Sequence, residues 1–89
     1  MKEEKPIGEG KPIGEVSHFY GHLEVAIVKF KEPVEKGDKV CFKGAHTDFS
    51  QTIDSMQYDH KDIDEAKKGQ EIGIKVKEKV REGDKVYKA

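Results

Sequence analysis

Residues 35–40 read Glu-Lys-Gly-Asp-Lys-Val, and residues 81–86 read Arg-Glu-Gly-Asp-Lys-Val. Each copy lies between two apolar stretches of the chain. Glycine tolerates positive φ and aspartate favours tight turns, and the Lys-Val that follows restarts an extended segment. Two such turns in a chain of 89 residues predict several short antiparallel strands, and therefore a small barrel or sandwich.

The apolar residues around these turns predict six strands. The predicted strands cover about residues 13–19, 23–30, 39–43, 50–58, 72–77 and 85–88. Residues 61–68 depart from the alternation and predict either one helical turn or a folded loop. Closure of six strands into a barrel removes the exposed edges that an open sheet would have. We therefore predict an all-β fold, a small closed six-stranded antiparallel barrel over residues 13–89, preceded by a flexible tail of residues 1–12.

The second predicted strand is apolar on both of its faces. Val25 and Ile27 point one way, and Ala26, Val28 and Phe30 point the other. Such a strand is either buried on both sides or packed outward against something, so it indicates a partner surface or a dimer. The predicted core consists of Val16, Val25, Ile27, Val40, Phe42, Ile53, Met56, Ile72, Ile74, Val76 and Val86.

The composition excludes several classes of protein. Lysine and arginine number 17 and aspartate and glutamate 18, a net charge of −1, whereas bulk nucleic-acid binders normally have a basic excess. A single cysteine, Cys41, excludes an internal disulfide framework and a cysteine-rich zinc site. No segment approaches about 18 consecutive apolar residues, and the N-terminus lacks an apolar signal-peptide core. We therefore expect a cytoplasmic protein without a membrane span.

Candidate catalytic and metal-binding groups do not form a recognised pattern. The four histidines, at positions 18, 22, 46 and 60, lack the usual zinc-ligand spacings and are expected in exposed turns. Acidic residues at positions 59–65 surround His60, but paired carboxylates need a recessed pocket to act as acid and base. A barrel this small is filled by its own side chains. We therefore expect no catalytic residue, no metal site and no cofactor.

Residues 18–22, His-Phe-Tyr-Gly-His, place aromatic side chains in and beside a loop. Loops on a rigid barrel often bind ligands, and aromatic rings near lysines stack on unpaired bases. Phe19 equally suits a core position and Tyr20 a turn. The loop contributes the candidate binding residues His18, Tyr20 and His22.

Three lysines alternate along the fifth predicted strand, at positions 75, 77 and 79. Their side chains are predicted to share one face of that strand. The stripe would either follow a phosphate backbone or form an ordinary soluble outer face. Its candidate binding residues are Lys75 and Lys77.

Five blocks of sequence occur in an order and spacing typical of one family. They are Ile-Gly-Glu-Val at 13–16, Glu-Lys-Gly-Asp-Lys-Val at 35–40 with Gly44 after it, Ile-Asp-Ser-Met at 53–56, Glu-Ala-Lys-Lys-Gly-Gln-Glu-Ile-Gly-Ile at 65–74, and Val-Arg-Glu-Gly-Asp at 80–84. By these blocks the chain resembles the second, β-barrel domain of translational GTPases such as elongation factor Tu. It is also similar to free-standing elongation-factor-like proteins, and to the barrel at the C-terminus of some collagenase-like peptidases implicated in RNA modification.

The resemblance implies a non-catalytic, translation-factor-like module that binds tRNA, rRNA or a ribosome-associated protein. In elongation factor Tu this barrel helps to hold the aminoacylated 3′ end of tRNA. The family usually has Glu, Arg and Asn where this chain has Ser55, Tyr58 and Glu71, which are therefore further candidate contacts with altered chemistry. No Gly-x-x-x-x-Gly-Lys-Ser/Thr loop is present, so GTP binding is not expected.

A second function hypothesis remains open. The doubly apolar second strand also fits a protein-interaction barrel that serves a separate RNA-modifying or peptidase-like catalytic subunit. For either function we expect a monomer or a weak homodimer.

Overall fold

The computed structural model of this chain describes residues 11–89, which lie in strands, turns and irregular connections. The all-β prediction is confirmed. The described residues form ten strands: β1 (Gly14–Tyr20), β2 (Val25–Phe30), β3 (Val34–Glu35), β4 (Lys39–Gly44), β5 (Thr47–Thr52), β6 (Met56–Tyr58), β7 (Lys61–Ile63), β8 (Glu65–Ala66), β9 (Glu71–Lys75) and β10 (Lys85–Lys88). Residues 1–10 of the predicted tail lie outside the described part of the chain, so the tail stays a prediction.

The strands form one open antiparallel sheet in the order β5-β4-β10-β1-β2-β9-β6-β7, and β3 pairs with β8 beside it. The prediction of a closed six-stranded barrel is wrong, because the edge strands β5 and β7 do not pair with each other within residues 11–89. The predicted fourth strand is interrupted at residues 53–55 and becomes β5 and β6. Residues 61–63 form β7 and residues 65–66 form β8, where the sequence predicted a helical turn or a folded loop.

The side chain of Gln51 links two strands that are not paired through their backbones. Gln51 is buried on β5, and its Nε2 donates to the carbonyl of Lys75 at the end of β9 over 2.9 Å. Its Oε1 accepts from the N–H of Lys77, also over 2.9 Å. These bonds join the first and the sixth strand of the sheet, so the sheet must curl. The amide side chain of Gln51 thereby satisfies backbone groups at the end of β9.

The two copies of Gly-Asp-Lys-Val make the same turn, as predicted. Gly37 has φ of 98° and Gly83 has φ of 91°, conformations that favour glycine. In each turn the following aspartate, Asp38 or Asp84, accepts a hydrogen bond of 2.9 Å from the backbone N–H three residues before it. A long strand then begins at the next residue in both copies, β4 after the first and β10 after the second. Local sequence chemistry therefore determines both turns.

Each turn is also held to the core by a matching pair of backbone hydrogen bonds. In the first, the glycine N–H donates to the carbonyl of Ile53, whose own N–H donates to the aspartate carbonyl, both over 2.8 Å. In the second turn, the N–H of Gly83 donates to the carbonyl of Val16, and the N–H of Val16 donates to the carbonyl of Asp84, both over 2.8 Å. Ile53 and Val16 are both buried. The bonds to Ile53 turn the chain away from β5, which explains the interruption before β6.

Nine of the eleven predicted core residues are buried. The two exceptions are Val25 and Ile27, which are half-buried on the outer face of β2. The inward face of β2 consists instead of Ala26, Val28 and Phe30, each fully buried. Because both faces of this strand are apolar, alternation alone did not distinguish them. The consequence is an apolar outer face on a central strand of the sheet.

The outer face also carries a row of charged residues that crosses six strands in register. From β5 to β9 the row reads Asp48, Lys43, Lys85, Glu15, Lys29 and Glu71. Two neighbouring pairs form ion pairs, with Lys43 Nζ 3.5 Å from Asp48 Oδ1 and Lys85 Nζ 3.0 Å from Glu15 Oε1. The hydrogen bond from Lys85, followed by the charge of Lys85, lowers the pKa of Glu15.

Replacing Glu15 with glutamine is expected to reduce the sensitivity of the fold to acid. The pKa of Glu15 in the folded chain lies below its ordinary value of 4.5. The charged form of Glu15 therefore stabilises the fold at pH values above 4.5, and this stabilisation is lost as the pH falls through the pKa of the folded chain. The urea midpoint of the wild-type chain should therefore drop further than that of Glu15→Gln between about pH 6 and pH 3. Glu32→Gln, outside the row, is the control, and an unchanged pH dependence in Glu15→Gln would contradict the expectation.

Candidate protein-interaction surface

The predicted loop residues lie on and beside β1. The rings of His18 and Tyr20 are on its outer face with centroids 4.3 Å apart and an interplanar angle of 53°. Nδ1 of His18 is 3.1 Å from Oε2 of Glu82. His22 is exposed in the turn between β1 and β2. The alternative for Phe19 was a core position, and this side chain is half-buried and packs against the core.

The other predicted site residues do not form one cluster. Ser55 is exposed in the connection before β6, and Tyr58 is the last residue of β6 and is 42% exposed. Glu71 and Lys75 are the two ends of β9. Lys77 follows β9 and lines a separate groove. The structure thus brings Tyr20 and Glu71 to one groove and does not bring the two lysines there.

That groove, which we call the outer groove, lies on the outer face of β2, β9 and β6 and has a volume of about 280 Å³. Its floor is Val25, Ile27 and Gly73. Gly73 stands opposite Ile27 on one side and opposite Gln57 on the other. A Cβ added to Gly73 would lie 3.5 Å from Val25 Cγ1 and 3.6 Å from Ile27 Cδ1, an ordinary contact distance. The missing side chain of Gly73 therefore leaves the groove open.

One wall of the outer groove is apolar. Leu23, in the turn between β1 and β2, is 55% exposed, and Tyr20 beside it is 42% exposed. Single exposed apolar residues are common on protein surfaces, but a contiguous set is typical of an interaction site. Here the two side chains adjoin the half-buried Val25 and Ile27.

The opposite wall is polar and acidic. Asp59 and His60 form the turn between β6 and β7, and both line the outer groove, as does Glu71 of β9. Within residues 11–89, no ion pair involves Asp59 or Glu71. The sequence predicted that the acidic residues around His60 form a solvated loop. Of these acidic residues, Asp59 lines the outer groove.

Two kinds of chemical group bear on catalysis among the described residues, metal-ligand clusters and the cysteine thiol. No group of three or more His, Cys, Asp or Glu side chains could hold a metal ion among residues 11–89. Burial raises the pKa of the Cys41 thiol, which disfavours the nucleophilic thiolate. None of residues 11–89 forms a helix with the length and apolarity needed to cross a bilayer. The arrangement on the outer face is suited to binding an apolar group near a positive charge.

Three of the residues that line this groove were not among the site residues predicted from the sequence. Leu23, Asp59 and Gly73 were absent from the predicted site. The apolar character of both faces of β2 was the signal for the floor of the groove, and it did indicate a partner surface. The glycine within an otherwise alternating strand was a second signal, because such a glycine often marks a place of close approach.

Comparison with known proteins relates the chain to proteases. No family model matches it. It is 40% identical over 76 residues to a protein of Methanocaldococcus jannaschii named an uncharacterized protease, a match that spans 84% of this chain and 19% of that protein. It is 32% identical over 78 residues to a collagenase of Porphyromonas gingivalis, spanning 85% of this chain and 22% of the collagenase. The chain thus spans about a fifth of the length of these relatives.

Solved structures give the same fold. Two crystal structures of the C-terminal domain of a protein named as a U32 peptidase, from Geobacillus thermoleovorans, are similar to this chain. One has a TM-score of 0.83 at 23% sequence identity and covers 89% of this chain and all of that domain. The other has a TM-score of 0.82 at 24% identity and covers 86% of this chain and 90% of that domain.

The assignment to the translation-factor family is wrong. These relatives are named as a protease, a collagenase and the C-terminal domain of a U32 peptidase, and not as translation factors. The prediction of tRNA or ribosome binding rested on that assignment and loses its support. The similarity to the C-terminal domain of collagenase-like peptidases, noted from the same sequence blocks, agrees with the relatives found.

Proposed function

We propose that this chain is a non-catalytic accessory module that serves a peptidase-like catalytic domain of the U32 kind. The observation that carries the proposal is the extent of the matches. They span 84% of this chain but 19% of the Methanocaldococcus jannaschii protease, so the relative has most of its length elsewhere. The matching solved structures are C-terminal domains, that is, segments which accompany a larger chain.

The surface chemistry supports a docking role. A central strand of the sheet exposes an apolar outer face, and Leu23 and Tyr20 extend it. Contiguous apolar area of this kind is stabilised when a partner covers it. The part of the chain that the structure describes offers no cluster of metal ligands, and its cysteine is buried with a raised thiol pKa. The module therefore contributes contacts, and the partner contributes the chemistry.

The chain is expected to bind a shortened form of the Methanocaldococcus jannaschii protease from which the matching segment has been removed. Calorimetric titration should give a dissociation constant on the order of 10 μM, the range of a small, partly polar interface. Leu23→Asp should weaken binding at least about tenfold, because it places a charge in the apolar wall. The chain alone should not hydrolyse gelatin.

Lys39→Asp is the matched control, since Lys39 is exposed on β4, away from the outer groove. Its affinity should equal that of the wild-type chain. Hydrolysis of gelatin by the purified chain would contradict a non-catalytic role. Absence of binding to a shortened protease that retains cooperative unfolding would contradict the docking role.

A further inference from the structure

The turn between β6 and β7 has an unfavourable sequence for its conformation. Tyr58 pairs with Lys61, so Asp59 and His60 are the two central residues of a tight hairpin turn. Their φ angles are 55° and 64°. Two consecutive positive φ angles favour Asn-Gly or Asp-Gly, and a left-handed histidine is strained by its Cβ. Strained residues are retained mainly where the surrounding structure or a ligand requires them.

The side chains of Asp59 and of the strained His60 both line the outer groove. The acidic groups Asp59 and Glu71 face it, and among residues 11–89 neither a lysine nor an arginine lines it. Lys29 stands opposite Glu71 across the ladder, yet the two residues do not form one of the ion pairs found within residues 11–89. The groove thus combines an apolar floor with carboxylates that lack a basic partner among the described residues.

We infer that the outer groove binds a segment of the catalytic domain in which an aliphatic side chain is flanked by lysine or arginine. The aliphatic group fills the space over Gly73, between Val25 and Ile27. The cation meets Asp59 and Glu71 at the rim, where a charge-assisted hydrogen bond is stronger than a neutral one. This inference rests on the proposed function and adds the chemistry of the partner surface.

The test is a fusion in which this chain replaces the matching segment of the Methanocaldococcus jannaschii protease. Hydrogen exchange is measured by mass spectrometry on peptides of the module, in the fusion and in the free chain. A docked module unfolds less often, because its partner is held nearby at millimolar effective concentration. For the wild-type module we expect exchange of the slowest amides to be slowed by about 100-fold in the fusion.

Three variants test the groove, and two of them carry substitutions that are expected to favour the fold. Gly73→Val fills it. Asp59→Asn with His60→Gly gives the turn its preferred sequence, removes the negative charge of Asp59 and removes the side chain of His60. Each should raise the melting temperature of the free chain by about 4 °C, because strand propensity improves or strain is relieved. Each should abolish the slowing of exchange on fusion, as should Asp59→Lys with Glu71→Lys. If a variant has a higher melting temperature and still docks less well, a folding defect cannot explain its loss of docking.

Glu24→Gly is the matched control. Glu24 also has positive φ, 58°, but it lines the separate groove beside Phe19. The free Glu24→Gly chain should also have a higher melting temperature than the wild type. Its hydrogen exchange should still be slowed in the fusion.

The outcomes separate the two proposals. If the wild-type module exchanges equally fast in the fusion and in the free chain, the proposed function is overturned and the inference falls with it. If the wild-type module is slowed and the groove variants are slowed equally, docking occurs through another surface. That result overturns the inference alone.

Discussion

Asp84→Ala is expected to destabilise the chain by about 3 kcal/mol, whereas Asp38→Ala in the other copy of the same turn is expected to cost about 1 kcal/mol. The local bond is equal in both copies, since each carboxylate accepts a backbone N–H over 2.9 Å. The surroundings differ. Asp84 is 5% exposed and also accepts the hydroxyl of Thr47, which is itself 5% exposed.

Removal of the Asp84 carboxylate leaves the Thr47 hydroxyl buried without its acceptor, and a buried unsatisfied group costs about 1–3 kcal/mol. Asp38 is half-buried, so water replaces its lost bond. The space beside Asp84 is also filled, because a Cβ on Gly44 would overlap its carboxylate. The difference in free energy loss between Asp84→Ala and Asp38→Ala thus reports the effect of burial, because the turn itself is the same in both copies.

Urea unfolding followed by circular dichroism measures both free energies. A loss of about 3 kcal/mol should lower the melting temperature by about 15 °C. The double variant Asp84→Ala with Thr47→Val should lose less than the sum of the single variants, because neither polar group then remains unpaired. Equal losses in Asp84→Ala and Asp38→Ala would show that the buried contacts add nothing.

Gly14→Ala is the second large expected loss, about 3 kcal/mol, while Gly73→Ala is expected to gain about 0.5 kcal/mol. Both glycines lie within strands of the main sheet. A Cβ on Gly14 would be 2.9 Å from Val28 Cγ1, 3.0 Å from the carbonyl of Lys29 and 3.1 Å from Phe30 Cδ1. The carbonyl of Lys29 belongs to the backbone of β2 and cannot change rotamer as a side chain can. The strands β1 and β2 would therefore have to separate.

Gly73 is the control within the same sheet, because its added Cβ would meet neighbours at 3.5 Å or more. The alanine there also restricts the unfolded chain, which favours folding. Thermal unfolding of the two variants should therefore move in opposite directions from the wild-type value. A Gly14→Ala chain as stable as the wild type would mean that the sheet relaxes more readily than its packing indicates.

Much of the local structure was predictable from the chain. The two Gly-Asp turns were predicted from residue type, because positive φ at glycine and the aspartate side-chain bond act over four residues. The inward faces of β4 and β9 followed from alternation, and their predicted core residues are buried. The opposite parity of Ile53 and Met56 predicts a bulge near Asp54 and Ser55. The full interruption at residues 53–55 was not predicted, because it depends on bonds between Ile53 and a turn that lies earlier in the chain.

The candidate site was only partly predictable, for a related reason. The apolar character of β2 indicated a partner surface, but the assignment of Val25 and Ile27 to the core was wrong. The register of β1 on β2 shifts between Val16 and His18, so that His18 stands opposite Ile27. Pairing across the sheet decided which face of β2 points outward, and no local pattern carries that information.

The sequence by itself determined the class of the fold, its two matching turns and most of its core, because these follow from contacts between residues that are close in the chain. Tertiary structure alone decided that β5 and β7 are left as edges of an open sheet, and that the side chain of Gln51 binds the backbone of residues 24 and 26 positions later. It also decided which apolar face is left uncovered. Both outcomes depend on the pairing of distant strands, whose free energy is set by burial and hydrogen bonding in the assembled sheet.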